Sequence, residues 1–183
     1  MDGFPTPGIL FKDITPLLGD AEAFADVVAT LSAPYLTSAV QGSPGGAAVR
    51  LGDPGSGAAE GVDAVVGIEA RGFILGAPVS LALSAGFVPV RKAGKLPYTT
   101  IGTSYALEYA DAEIEIHDDA IQPGQRVLVV DDVLATGGTA AAACALVEQL
   151  GAVVIGVAVL IELLALGGRA QLPGRSVRAL IEA

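Results

Sequence analysis

Residues Val127–Leu150 read VLVVDDVLATGGTAAAACALVEQL, and this stretch constrains the fold more than any other. Val127–Val130 is apolar at every position, which predicts a strand covered on both faces. Asp131 and Asp132 follow at its carboxyl end. Ala135-Thr136-Gly137-Gly138-Thr139 then leads into a helix over Gly138–Leu150. Ligands in open α/β sheets bind at the carboxyl ends of the strands. Glycines let backbone N–H groups approach a phosphate, and the helix N-terminus behind them favours an anion. Thr136 and Thr139 add hydroxyl donors. No Gly-Lys-Ser/Thr follows, so this is not a Walker A loop, and it is not G-x-G-x-x-G either. Two neighbouring carboxylates can accept hydrogen bonds from two neighbouring sugar hydroxyls while the loop holds a phosphate. A capped helix after a turn, with both acids solvated, would explain the glycines. It does not explain two acids abutting an apolar strand beside T-G-G-T.

Elsewhere the chain alternates strands and helices. Residues 1–19 read as loop, with prolines at 5, 7 and 16. Asp20 can cap a helix in which Phe24, Val27, Val28 and Leu31 keep a helical period, and Pro34 ends it or bends its last turn. Residues 42–61 are rich in Gly, Pro, Ser and Ala and predict a mobile surface loop. Strands are expected at Val62–Glu69, Phe87–Arg91, Ala152–Ile161 and Val177–Ile181, and a helix over Phe73–Ala85 despite Pro78. Tyr105–Tyr109 and Glu113–His117 predict a hairpin, with Ile114 and Ile116 inward and Glu113, Glu115 and His117 outward. Residues 93–103 predict a mobile loop. The expected fold is α/β: a central, mostly parallel sheet flanked by helices in a single domain over 1–183, with a small hood from the N-terminal segment.

Twenty acidic residues against 10 basic ones give a formal net charge of −10. That balance disfavours binding to nucleic acid or to anionic membrane. One cysteine, Cys144, cannot form an internal disulfide, and one histidine limits all-protein zinc sites. The N-terminus has neither a basic region nor a long apolar run, and the longest apolar stretch, Ala152–Ile161, is too short to span a bilayer. The expectation is a cytoplasmic protein.

Val129–Thr139, VVDDVLATGGT, resembles the phosphoribosyl-diphosphate-binding motif of type I phosphoribosyltransferases, in the form found in their adenine-using branch. Three further segments agree in order. Phe4–Leu17, FPTPGILFKDITPL, resembles that branch's base-binding segment. Gly67–Gly76, GIEARGFILG, resembles its diphosphate loop. FVPVRKAGKLP at Phe87–Pro97 and SYALEY at Ser104–Tyr109 resemble the flanks of its mobile loop. The resemblance runs from Phe4 to about Leu172, apart from 42–61.

The reaction it implies joins adenine to 5-phosphoribosyl 1-diphosphate, giving AMP and diphosphate. Asp131, Asp132, Ala135, Thr136, Gly137, Gly138 and Thr139 would hold the ribose and its 5′-phosphate. Glu69, Ala70, Arg71, Arg91, Lys92 and Lys95 would hold the diphosphate, since Arg suits bidentate oxygens and Lys acts as a point charge. A non-proline cis peptide is implied between Glu69 and Ala70. Leu10, Phe11, Lys12 and Leu163 would surround adenine, with Phe11 stacking on it. Glu108, with Arg71 and Lys92, is placed at the reacting centre, as proton acceptor or stabiliser of positive charge on the sugar. Tyr109 would contact the mobile loop. Mg²⁺ would be held by substrate oxygens and waters, with no direct protein ligand, and a homodimer is implied. His117 is read as surface, without a role.

Three departures stand out. The family carries a short helix before the base-binding segment, and this chain begins at that segment. The 42–61 insert is unusual. Tyr98 occupies a position where the family usually has Gly. Two other functions compete with this one: transfer to guanine, hypoxanthine or xanthine, and a regulator that binds phosphoribosyl diphosphate without turnover and contacts DNA. ATGGT together with FPTPGILFKDIT opposes the first. The absence of an added basic segment opposes the second.

Overall fold

A computed structural model describes residues 13–36, 61–106 and 111–183. The expected loop at 42–61, apart from Gly61, lies outside them. Helix α1 spans Thr15–Gly19 and α2 spans Ala21–Ser32. Strand β1 (Ala64–Ile68) leads into α3 (Arg71–Leu83), β2 (Gly86–Lys92), β3 (Thr100–Ala106) and β4 (Asp111–His117). Strand β5 (Arg126–Leu134), α4 (Gly138–Gln149), β6 (Val153–Glu162) and β7 (Val177–Glu182) follow. The seven strands form one sheet in the order β3-β4-β2-β1-β5-β6-β7. The β2-β1-β5-β6-β7 portion is parallel, whereas β4 pairs antiparallel with both β2 and β3.

Successive side chains of a strand point to opposite faces, and the parallel strands use both. Val66, Ile68, Val127, Val129, Val157 and Val159 pack with Ala143, Leu146 and Val147 of α4 on one face. Val65, Leu128, Val130, Ala158 and Leu160 pack with Val27 and Leu31 of α2 and Leu75, Val79 and Leu83 of α3 on the other. This is why β1, β5 and β6 are apolar without alternation.

Asp20 caps α2, its carboxylate accepting from the N–H groups of Glu22 and Ala23 at 3.0 Å each. Val27 and Leu31 are buried as the periodicity predicts, and Pro34 lies in a 3-10 turn, Ala33–Tyr35, that ends the helix. Four expectations are corrected. Part of the N-terminal loop is helical: α1 forms because Asp13 accepts from the N–H (2.9 Å) and hydroxyl (2.6 Å) of Thr15, and Pro16 is tolerated in a first turn. Helix α3 begins at Arg71, two residues before the predicted Phe73. Strand β3 begins at Thr100, so the last four residues of the expected 93–103 loop belong to the sheet. Strand β5 runs on through Asp131 and Asp132 to Leu134, because β6 extends equally far and pairs with it as far as Glu162.

Leu128 is fully buried at the centre of β5. Leu128→Ala is expected to cost about 2–5 kcal/mol, read as a lower urea midpoint with an unchanged denaturant slope.

Candidate active site

The acids of β5 face the start of α3. Gly72 makes this approach feasible, since a Cβ there would lie 2.8 Å from the Val130 carbonyl and 2.9 Å from Asp131 Oδ1. With α3 this close, Arg71 Nε reaches Asp132 Oδ2 at 2.7 Å. Asp132 is buried, at 5% exposure, so the ion pair compensates its lost hydration. Asp131 accepts the backbone N–H of Asp132 through Oδ1 at 2.9 Å. Burial first, then the neighbouring Asp132 charge, push the Asp131 carboxyl well above the usual carboxylate range.

Beyond β5, Ala135, Thr136 and Gly137 turn into α4. Gly137 holds φ +86° at the cap position, a left-handed conformation that glycine accepts freely, and no side chain caps the helix. The first-turn N–H groups of α4, including those of Gly138 and Thr139, thus start at a backbone turn with Thr136 exposed beside it. The two carboxylates and the glycine-bearing turn thus stand next to each other.

The second cluster joins the β1–α3 turn to the end of β2. The Glu69–Ala70 peptide is cis. Glu69 accepts from Arg91 Nε at 3.2 Å, from Arg91 Nη2 at 3.4 Å and from the Lys92 N–H at 3.0 Å. Burial tends to raise its carboxyl, yet the Lys92 N–H and the Arg91 guanidinium hold it below its ordinary value. Arg91 also donates through Nη1 to the Lys95 carbonyl at 3.0 Å. The Lys92 and Lys95 side chains are exposed. Tyr98, in the same loop, has φ +65° and is 94% exposed. Tyr98 thus holds a left-handed backbone that glycine adopts more readily than a residue with a Cβ.

Leu163 follows β6, and its N–H donates to the Leu134 carbonyl at 2.9 Å, fastening it to the end of β5. Leu10, Phe11, Lys12, Glu108 and Tyr109 lie outside the described residues. Of the others, the structure brings Arg71 to Asp132, Glu69 to Arg91 and Arg91 to Lys95.

Two carboxylates were missed as contributors. Strand alternation predicts Glu115 on the solvent face of the hairpin, but it is buried, at 7% exposure. It accepts from the N–H groups of Lys95 and Leu96 at 2.8 Å each and from the Thr100 hydroxyl at 3.3 Å. Strand alternation assigns it correctly to the face opposite Ile114 and Ile116. What the pattern cannot show is that the 93–99 turn folds back over that face. The Leu96 N–H, against burial and with help from Gly94, Lys95 and Thr100, holds the Glu115 carboxyl below its ordinary value. Glu162, at the end of β6, is also buried and pairs with Arg169 Nη2 at 2.6 Å. Cys144 lies on the buried face of α4, and burial pushes its thiol up to about 11, so it is no nucleophile at neutral pH.

Two outcomes follow. A carboxyl raised by burial costs stability once the pH climbs past its unfolded value and through its folded one. Asp131→Asn should therefore raise the Tm at pH 7 while lowering kcat/KM; a lower Tm would contradict the burial cost. Glu115 is depressed, so it stabilises above its ordinary 4.5, and that contribution disappears as pH falls through the folded value. Glu115→Gln should lower the Tm at pH 7 and flatten its acid limb below about 4.5 in a Tm-versus-pH series.

Comparison with known proteins agrees with this fold. Residues 53–172 match the phosphoribosyl transferase domain family. An adenine phosphoribosyltransferase of Acidothermus cellulolyticus is 55% identical over 178 residues, covering 97% of this chain and 88% of its own length. The crystal structure of adenine phosphoribosyltransferase from Rhodothermus marinus superposes with a TM-score of 0.82 at 47% identity, over 100% of this chain and 92% of that one. The Saccharomyces cerevisiae enzyme, crystallised with adenine and an imino-altritol bisphosphate, gives 0.81 at 38% identity over 98% and 92%. A chain with this sheet, this acid pair and these relatives belongs to the adenine phosphoribosyltransferase family of type I phosphoribosyltransferases.

Proposed function

We propose that the chain transfers the phosphoribosyl group of 5-phosphoribosyl 1-diphosphate to adenine, releasing AMP and diphosphate. The observation that carries this reading is the juxtaposition on β5 and α4 of Asp131 and Asp132 with the turn Ala135–Thr139, opposite Arg71 at the head of α3.

The acids accept hydrogen bonds from the two ribose hydroxyls. The Ala135–Thr139 turn and the α4 N-terminus hold the 5′-phosphate through backbone N–H groups and the Thr136 and Thr139 hydroxyls. Arg71, Lys92 and Lys95, with backbone at Glu69–Ala70, face the diphosphate. Arg91, tied to Glu69 and to the Lys95 carbonyl, shapes the segment that presents them. Before substrate arrives, Asp132 compensates the charge of Arg71; a diphosphate at Arg71 and a hydroxyl at Asp132 replace one ion pair by two charge-assisted contacts.

The purine nitrogen is itself the nucleophile, so the enzyme need not supply one. Catalysis reduces to positioning and to stabilising charge that builds up on the sugar and on the departing diphosphate. Glu108 serves as proton acceptor or stabilises the sugar cation, and Leu10, Phe11, Lys12 and Leu163 enclose adenine. Among the described residues no group of three or more His, Cys, Asp or Glu side chains could hold a metal. The neighbouring acids on β5 suit Mg²⁺ that arrives on the diphosphate and keeps its waters, as this ion prefers. No helix of the described residues is long and apolar enough to cross a membrane. A cytoplasmic homodimer, a hood formed by the N-terminal segment, and mobility in the 93–99 turn complete the reading.

The test is turnover with phosphoribosyl diphosphate, Mg²⁺ and each nucleobase in turn. AMP from adenine, and no nucleotide from guanine, hypoxanthine or xanthine, is the expected result. Absence of product with every base would sink the proposal. Asp131→Ala combined with Asp132→Ala should abolish turnover while the circular dichroism spectrum stays that of the wild type.

A further inference from the structure

Strand β6 ends in a problem that the next ten residues solve. Glu162 is 2% exposed, and an unpaired carboxylate so placed would be costly. Arg169 answers it: Nε lies 2.8 Å from each Glu162 oxygen, and Nη2 lies 2.6 Å from Oε2. The remaining arm, Nη1, donates to the Val177 carbonyl of β7 at 2.8 Å. One guanidinium thus ties two strands to the short 3-10 turn Gly168–Gln171 that carries it.

The residue beside Arg169 touches the turn before α4. Gly168 is buried, and a Cβ built on it would collide with the Ala135 carbonyl and lie 3.1 Å from the Gly137 backbone nitrogen. A Cβ on Gly137 would in turn collide with the Gly168 carbonyl. Two backbones are therefore in direct contact, with glycine required on both sides. Gly168 is not among the residues with positive φ, so its need for glycine is one of space rather than conformation.

We propose that Arg169 is a positioning residue: by clamping Glu162 and β7, it seats the Gly168 backbone as the rear wall of the Ala135–Thr139 turn and fixes where that turn presents its N–H groups. The inference rests on the reading of this turn as the 5′-phosphate cradle. Leu163 is held independently, by its main-chain bond to Leu134, so the clamp bears on the phosphoribosyl substrate and not on the base.

The experiment measures kcat and both KM values for Arg169→Ala, Arg169→Lys, Gly168→Ala and Thr136→Ala, with the folded fraction read by circular dichroism and melting. Misplacing a binding group by about 1 Å costs up to about 100-fold, so Arg169→Ala and Gly168→Ala should raise KM for phosphoribosyl diphosphate about tenfold or more, with KM for adenine within about twofold. Arg169→Lys, which keeps the charge but loses the fork, should fall between. A purely structural role would lower kcat through the folded fraction and leave both KM values alone, and that result overturns the proposal. Should Arg169→Ala fail to fold, Gly168→Ala and Arg169→Lys decide on the same criterion. Thr136→Ala separates the two layers. If it too leaves KM for phosphoribosyl diphosphate unchanged, the cradle reading fails and the proposal with it. If it raises that KM while the Arg169 and Gly168 variants do not, the proposal fails alone.

Discussion

The parallel ladder of β5 with β1 on one side and β6 on the other is the constraint on which the rest of the molecule depends. A strand buried on both faces has no solvent side on which to place polar groups. Its first half must be apolar, and its backbone polar groups must find partners on neighbouring strands. Polar residues can appear only where the helices no longer cover it. Asp131 and Asp132 stand at that point. Helix α3 reaches them because Gly72 removes the one atom that would hold it away from Val130 and Asp131, and α4 begins four residues after Leu134, the end of the same strand. The site is thus where two helices of opposite faces meet one strand.

Charge around this point follows one pattern. Carboxylates removed from water are answered by arginine or by backbone N–H groups: Asp132 by Arg71, Glu69 by Arg91 and the Lys92 N–H, Glu115 by Lys95 and Leu96, Glu162 by Arg169. A chain with a net charge of −10 can still offer an anion a receptive surface in this way. Its arginines are already oriented by acids, so less side-chain freedom is lost when a phosphate or diphosphate takes over the contact. Asp131 accepts a backbone N–H too, that of Asp132, yet burial and the neighbouring Asp132 charge still raise its carboxyl. A group kept at such a cost to stability is what a binding site needs and a core does not.

Which elements exist was legible because each has a local cause. Asp20 and the spacing of Val27 and Leu31 announce α2, and unbroken apolar runs announce β1, β5 and β6. Their limits were less legible. Strand β5 continues past its apolar half because β6 is long enough to pair with it, and nothing in residues 131–134 states the length of β6. Thr100–Thr103 join the sheet because β4 offers an unpaired edge, although their own composition reads as loop. The misplacement of Glu115 has the same origin: its face was right, but its burial is produced by a turn that precedes it by some twenty residues.

The sequence by itself determined the chemistry. The acid pair, T-G-G-T and the scarce cations are fixed by residue type and by spacings within one strand–turn–helix unit, where local geometry suffices. Only the tertiary structure decided which of these groups meet. Arg71 and Asp132 have α3, β2, β3 and β4 between them in the chain and come together because α3 packs on β5. Arg169 and Gly168 bear on Ala135 and Gly137 because the chain leaves β6 beside the point where it left β5. Contacts of that kind depend on strand order and on the space between backbones, and neither quantity is written in any local run of residues.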